Sequence, residues 1–204
     1  MRIVSLIPEA TAILQAIGLE DQIVAAPPEH AHPTLIFTSE TSAGGGVPRA
    51  TVRRLVADLR PRPAVFALEP KSLGDILSDV KTVGDAVGRQ APARTLIESL
   101  RARIDAVSLR SARAVAAGAP RRVACLHGAD PPVAAGWWLA ELVGLAGGLD
   151  VLDGLGRPPR AVTWDQIHAA KPDLVVRASE REIHPGPGAV DLLEKLAALI
   201  LPRP

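Results

Sequence analysis

The sequence has few aromatic residues and almost no cysteine. It contains no tyrosine, two phenylalanines and three tryptophans in 204 residues, so its core must be aliphatic and each tryptophan is conspicuous. Cys125 is the only cysteine, which excludes an internal disulfide. Its apolar neighbours predict a buried strand residue, and no redox or metal role is expected for it.

The sequence also lacks an excess of positive or negative charge. The 23 basic and 22 acidic residues leave a formal net charge of +1, so nucleic acid and anionic membranes are poor partners. No stretch approaches the roughly 20 apolar residues of a membrane-spanning helix. Residues 2–7 have the composition of a strand and do not resemble an export signal. We therefore expect a soluble protein that is not membrane-embedded and is cytoplasmic as the sequence is written.

Familiar catalytic motifs are absent too. The sequence contains no Gly-x-Ser-x-Gly elbow, no phosphate loop ending in Gly-Lys-Ser/Thr and no His-Glu-x-x-His zinc motif. We therefore expect a binding protein without catalytic residues and without a required cofactor, and not an enzyme.

Hydrophobic patterns predict alternating strands and helices. The predicted strands are residues 2–7, 22–26, 34–38, 64–68, 122–126 and 173–177. The predicted helices are residues 8–17, 52–59, 72–87, 92–117, 137–145, 163–171 and 190–200. Residues 27–33 are predicted as a loop, because their prolines cannot donate to a β-ladder or sit inside a helix. This order is typical of parallel sheets covered by helices, so we predict an α/β fold.

The longest helical pattern divides the chain into two similar halves. Apolar residues between positions 92 and 117 follow one stripe, with arginines elsewhere. We predict an N-terminal α/β lobe over residues 1–90, a connecting helix over 91–117 and a C-terminal α/β lobe over 118–204.

Five segments resemble, in the same order, the cobalamin-binding substrate-binding proteins of ABC transporters. They are RIVSLIPEATAILQAIGLEDQIV, EPKSLGDILSDVKTVGDAVG, DPPVAAGWWLAELVGLAGG, VTWDQIHAAKPDLVV and HPGPGAVDLLEKLAALI, which cover more than half of the chain. The resemblance implies two Rossmann-like lobes with mainly parallel sheets, joined by a single long helix as in class III periplasmic binding proteins. It also implies a corrinoid held in the cleft between the lobes and an ABC transporter permease as a partner. Relatives in this family commonly act outside the cytoplasm.

The chain departs from the family's pattern at several points. Both lobes are shortened, between residues 59 and 64 and between residues 176 and 184. Pro28 and Ala31 stand where the family has a histidine and an aspartate, and Gly188 stands where it has an arginine. An alternative is therefore a degenerate paralogue that acts through protein–protein contacts, with exposed sheet edges pairing in an oligomer.

Seven residues are predicted to contact the ligand. They are Pro8, Glu29, His30, Pro132, Gly136, Trp137 and Trp138. The two indoles offer flat apolar faces suited to a corrin edge, although one of them packing in the core is an equal alternative. His30 and His32 flank Ala31, so a small metal-binding protein using this loop is a further alternative. Trp164 is expected to pin its helix to the lobe.

Overall fold

A computed structural model describes residues 1–41, 46–127, 131–152, 154–178 and 184–201. Its strands are β1 (Ile3–Ser5), β2 (Leu35–Ser39), β3 (Ala64–Leu68), β4 (Arg121–His127), β5 (Val133–Ala134), β6 (Gly148–Asp150), β7 (Arg160–Ala161) and β8 (Leu174–Ala178). Its helices are α1 (Pro8–Ala16), α2 (Pro28–Ala31), α3 (Arg49–Leu55), α4 (Leu73–Ala86), α5 (Gln90–Ala117), α6 (Trp137–Leu145), α7 (Trp164–Ala169) and α8 (Gly188–Ile200). The α/β class predicted from the sequence is confirmed.

The chain divides into two compact units. The first comprises residues 1–70 and 77–97, and the second comprises residues 71–76 and 98–204. Helices α4 and α5 each contribute residues to both units. The lobe boundaries drawn from the sequence, at residues 90 and 118, stay a prediction.

The first unit contains a parallel sheet in the order β1-β2-β3. Its central strand β2 is buried along its whole length, including the polar Thr38 and Ser39 that follow its apolar residues, as expected for a strand with both faces covered. One face packs against α1 and α4 through side chains such as Ile13 and Val80. The other face packs against α2 and α3 through Ala31 and Val52.

In the second unit, β4 is the central strand. It pairs in parallel with β6 and β8 and antiparallel with β5, which in turn pairs antiparallel with β7. Helices α6 and α8 pack on one face through Leu142 and Leu193, and Ile167 of α7 packs on the other. The sequence patterns predict none of β5, β6 and β7, because strands of two or three residues are too short to show a period.

Two predicted helix starts are confirmed in atomic detail. The Thr163 side chain accepts from the Gln166 N–H, and the Gln166 side chain accepts from the Thr163 N–H, which forms a capping box. At the start of α4, Ser72 Oγ accepts from the Asp75 N–H while Asp75 Oδ2 accepts from the Ser72 N–H. Each pair satisfies backbone donors that have no partner inside the helix.

Three local predictions are wrong. Residues 27–33 include the helical turn α2, because Pro28 occupies its first position, where no backbone N–H is needed. Residues 22–26 are not a full strand: a 3-10 turn covers Glu20–Gln22, and Ile23 forms a single bridge with Ile3. The helix predicted over residues 52–59 begins earlier, as α3 after Pro48.

Cys125 lies in the middle of β4 and is buried, as its apolar neighbours predict. Burial raises the pKa of its thiol to about 12, so the thiol is protonated at neutral pH. Of the helices in the described ranges, none combines the length and apolar character that a membrane span requires.

Candidate functional site

Open α/β sheets bind ligands beyond the carboxyl ends of their parallel strands. In the first unit, Thr41 follows β2 and Glu69 follows β3, so both lie at this end of the sheet. A hydrogen bond joins the two loops, because the Thr41 hydroxyl lies 2.8 Å from Glu69 Oε1. Beside them, Arg49 Nη2 donates to Glu40 Oε1 at 2.8 Å. This edge therefore presents hydroxyl and carboxylate groups that are held by partners.

Pro8 lies at the same edge, immediately after β1. It is exposed at the first position of α1. The turn before it is fixed, because Ser5 Oγ donates to the Ile7 carbonyl at 3.1 Å and the Thr11 hydroxyl lies 2.8 Å from Ser5 Oγ. Pro8 is thus in a position to meet a ligand at the carboxyl end of the sheet.

Glu29 and His30 lie elsewhere in the first unit, in the helical turn α2. The last residue of that turn, Ala31, accepts from Arg2 Nε at 2.9 Å, and Arg2 precedes β1. The turn therefore leads to the amino end of the sheet, whereas Pro8 lies at the carboxyl end. Ligand contact by Glu29 and His30 stays a prediction.

The alternative prediction of a metal-binding loop depends on His30 and His32. His30 is exposed, and His32 follows the turn with φ 44°. Within the described part of the chain, no group of three His, Cys, Asp or Glu side chains is placed to hold a metal ion.

In the second unit, Gly136 precedes α6 at a point of close backbone packing. A Cβ at this position would lie 2.4 Å from the Arg157 carbonyl oxygen and within 2.6 Å of backbone atoms of Pro158 and Pro159. Only glycine fits here, which is a packing reason for Gly136 that is independent of any ligand. Pro132 is also buried, and its carbonyl accepts from the Val162 N–H at 2.9 Å. Ligand contact by either residue stays a prediction.

Trp137 has an unusual conformation at the first position of α6. Its φ is 48°, in the left-handed region that bulky residues seldom adopt. Its N–H donates to the Arg157 carbonyl at 2.8 Å, which holds the backbone in place. The indole is half-buried, and Lys71 Nζ lies 5.8 Å from the ring centroid.

The segment that carries Lys71 is fixed by hydrogen bonds within the second unit. The Leu73 N–H donates to Glu141 Oε2 on α6 at 2.7 Å, and the Lys71 N–H donates to Asp75 Oδ2 at 3.0 Å. The backbone donor of Lys71 is the largest cause of a lowered pKa at Asp75, so this carboxylate is ionised at neutral pH. Lys71 is thereby held next to Trp137.

The other two tryptophans differ from Trp137. Trp138 is 5% exposed and packs among the core residues of the second unit, so its predicted ligand contact stays a prediction that burial does not favour. Trp164 is 38% exposed, and the Arg177 guanidinium on β8 lies 4.9 Å from its ring centroid. This contact ties the start of α7 to the sheet, in agreement with the role expected for Trp164.

His127 is the last residue of β4. Its Nε2 is buried and has no hydrogen-bond partner among the described residues. Burial lowers the pKa of the imidazole, so the ring is neutral at pH 7. A neutral ring nitrogen at the carboxyl end of a central strand is a further polar group that could meet a ligand.

Four residues with contacts near these edges are not among those predicted from the sequence: Thr41, Glu69, Lys71 and Glu141. Glu69 could have been noticed, because a polar residue that directly follows a predicted strand lies at the binding edge of a parallel sheet. The contacts of Thr41, Lys71 and Glu141 join residues far apart in sequence, and no local pattern indicates them.

No protein-family model matches the sequence, and no curated protein sequence matches it. The periplasmic vitamin B12 binding protein BtuF of Vibrio cholerae is similar in structure, with a TM-score of 0.75 and 18% identity over 97% of this chain and 95% of that one.

Two further solved structures are similar to the same degree. A periplasmic heme binding protein from Pseudomonas aeruginosa has a TM-score of 0.79 at 16% identity, over 98% of this chain and 92% of that one. An ABC-type Fe3+-hydroxamate transport protein from Saccharomonospora viridis has a TM-score of 0.72 at 18% identity, over 97% and 92%.

These similarities define the class of the fold. It is the two-lobed α/β fold of class III periplasmic binding proteins, as the sequence resemblance predicts. The named neighbours bind vitamin B12 or heme, or belong to Fe3+-hydroxamate transport, so the fold is compatible with more than one metal chelate. The shortening of both lobes stays a prediction, and residues 179–183, where part of it falls, lie outside the described residues.

Proposed function

We propose that this chain is a non-catalytic substrate-binding protein of an ABC-type uptake system and that its ligand is a corrinoid. The class is supported by the fold and by the solute-binding proteins that share it. The choice of a corrinoid is supported by the five sequence segments that resemble cobalamin-binding proteins. A heme or another metal chelate is the competing ligand.

The observation that carries the proposal is the conformation of Trp137. A left-handed backbone costs a residue with a side chain about 1–2 kcal/mol, and such strain is concentrated at ligand-binding and active sites. In Trp137 this backbone conformation is held by the hydrogen bond from its N–H to the Arg157 carbonyl, and the residue presents a half-buried indole at the start of α6. A flat apolar face of this kind can bury the edge of a macrocycle.

Lys71 supplies the polar part of the same site. Its ammonium lies near the Trp137 ring, and the surrounding backbone is anchored by Glu141 and Asp75. Ligand sites combine apolar walls with a few placed polar groups that fix orientation. We propose that Lys71 donates to polar groups at the rim of the ligand.

In the first unit, we propose Pro8, Thr41 and Glu69 as ligand contacts. They lie at the carboxyl ends of β1, β2 and β3, and Thr41 and Glu69 are hydrogen-bonded to each other. A hydroxyl and a carboxylate in this arrangement can accept from amide groups of a ligand. No cofactor is proposed.

Calorimetric titration of the purified chain with cyanocobalamin tests this function. We expect saturable one-to-one binding. Trp137→Ala should weaken it about tenfold or more, because an aromatic face buried against a ligand contributes about 1.5–3 kcal/mol. Trp164→Ala is the matched control, since it removes an exposed tryptophan at the start of another helix of the same unit.

A parallel titration with hemin separates the class from the ligand. If hemin saturates the protein and cyanocobalamin does not, the binder proposal stands and the corrinoid is the wrong ligand. If neither binds, and an Fe3+-hydroxamate does not bind either, the substrate-binding proposal is wrong. Equal weakening by Trp137→Ala and Trp164→Ala would show that Trp137 is not at the site.

We further propose an ABC transporter permease as the protein partner. Co-purification of the chain with an ABC transporter permease from source cells that produce both proteins would support this pairing. The cytoplasmic location expected from the sequence stays a prediction, and fractionation of those cells would test it directly.

A further inference from the structure

Strand β3 is the edge of the sheet in the first unit. It pairs with β2 on one side, and within the described residues no strand pairs with its other side. The Ala64 N–H donates to the Thr34 carbonyl at 3.1 Å, so alternate residues from Ala64 onward direct their backbone groups toward β2. The N–H and C=O groups of Val65 and Ala67 therefore face the free side.

These two residues are placed symmetrically about Phe66. An antiparallel copy of the same strand could exchange backbone hydrogen bonds between Val65 of one chain and Ala67 of the other, in both directions. Phe66 would then lie opposite Phe66 of the second copy as a non-hydrogen-bonded pair, with Cα atoms about 4.5 Å apart. The edge is thus complementary to itself, as a two-fold interface requires.

The side chains along this edge are apolar and incompletely covered. Phe66 is half-buried and stacks on Phe37 with ring centroids 5.7 Å apart. On the other face, a groove of about 410 Å³ lies against Val65 and Val56, bounded by Arg53, Arg62, Pro63 and Ala64. Opposed aromatic pairs stabilise neighbouring strands, and the groove leaves room for side chains of a second strand.

Charge favours a second copy in the antiparallel direction. Arg62 precedes β3 and Glu69 follows it, so antiparallel pairing brings the basic end of one strand to the acidic end of the other. No charged residue lies within β3, whereas natural edge strands are commonly protected by one. Among the described strands of the second unit, β8 pairs only with β4, and this edge strand does contain a charged residue, the exposed Arg177.

We propose that two copies of this chain associate through their β3 strands, antiparallel and in the register that places Phe66 on the two-fold axis. The association uses only residues of the first unit. It does not rest on the proposed function, and a failure of ligand binding would leave it untouched.

Sedimentation of the full chain tests the association over about 1 µM to about 500 µM protein. We expect the average mass to rise with concentration toward twice the monomer value. Ala67→Lys should raise the dissociation constant at least tenfold, because it places a charge in the shared edge. Val175→Lys adds the same charge to the exposed edge strand β8 and should leave the constant unchanged.

A cross-linking variant tests the register. Phe66→Cys would place two thiols at the non-hydrogen-bonded position on the axis, where Cα separation suits a disulfide, so mild oxidation should yield a covalent dimer. Leu55→Cys, exposed on α3, should not cross-link, and the native Cys125 is buried and protonated. A monomer at every concentration, or equal dissociation constants for Ala67→Lys and Val175→Lys, would overturn the proposal.

Discussion

Gly136, the N-cap of α6, and Gly144, inside the same helix, provide a paired test of the packing in the second unit. Gly136→Ala is expected to destabilise the protein, whereas Gly144→Ala, the same chemical change on the same helix, is expected to stabilise it. The difference arises from surroundings alone. At Gly136 the backbone has φ −136°, which alanine adopts readily, so any cost there is steric.

The magnitudes follow from the distances. A Cβ on residue 136 would lie 2.4 Å from the Arg157 oxygen, 2.5 Å from the Pro159 nitrogen and 2.6 Å from the Pro158 carbonyl carbon. Overpacking typically costs about 1–3 kcal/mol, and we expect about 3 because all three atoms belong to the backbone. At Gly144 an added Cβ would meet no atom within 4 Å beyond its chain neighbours and the backbone of its own helix, and alanine in a helix gains about 0.5–1 kcal/mol over glycine.

Urea unfolding measures both effects. All three tryptophans belong to the second unit, so their fluorescence reports on the region that contains both glycines. The two variants should differ by about 4 kcal/mol in the free energy of unfolding, which is several hundredfold in the unfolding equilibrium constant. Far-UV circular dichroism on the same samples checks that both variants retain the wild-type helix content.

Equal stability of the two variants would contradict this prediction. That result would mean that residues 157–159 do not pack on Gly136 as described. A loss at Gly136→Ala that is accompanied by a red-shifted tryptophan fluorescence in the folded state would instead support the contact, because the Arg157 carbonyl also holds the Trp137 N–H.

Two further predictions concern titration. Arg103 donates to Glu194 and Asp191 on α8, and its hydrogen bonds to Glu194 lower the pKa of that carboxyl. The ion pair therefore stabilises the fold at pH values above the ordinary glutamate pKa of 4.5, and this stabilisation is lost as the pH falls through the lowered pKa. Because the groups are partly exposed, Arg103→Gln should cost only about 1 kcal/mol at pH 7, and urea unfolding at pH 3 or in high salt should find a smaller difference. Burial raises the pKa of the Cys125 thiol from 9.0 to about 12, so folded chains retain a proton that unfolded chains lose above pH 9. Ionisation of Cys125 in the unfolded chain should therefore lower the free energy of unfolding by about 1.4 kcal/mol between pH 8 and pH 10. If Cys125→Ala shows the same decrease, the decrease comes from other groups.

Much of the fold follows from local sequence patterns. Helix α6 has the bounds predicted for it, and the capping box at Thr163 forms as its Thr-x-x-Gln pattern indicates. Helix α5 spans nearly the predicted range. These features depend on residues within a few positions of one another, where propensity, apolar period and side-chain caps act together.

The candidate site was only partly predictable. Trp137 was expected from its residue type and its position after a strand, and Pro8 from the β1–α1 turn. Glu29 and His30 are predicted ligand contacts in a segment predicted as a loop, whereas the structure forms a helical turn there. Arg2, by binding the Ala31 carbonyl, directs this turn toward the amino end of β1.

The sequence by itself determined the α/β order, the long helix, the aliphatic core and the conspicuous tryptophans, because each is expressed in composition or in a short period. Tertiary structure decided the left-handed Trp137, its neighbour Lys71, the packing of residues 157–159 on Gly136, and the free edge of β3. Each of these depends on segments that are distant in sequence, and the short strands that bring such segments together carry no period of their own.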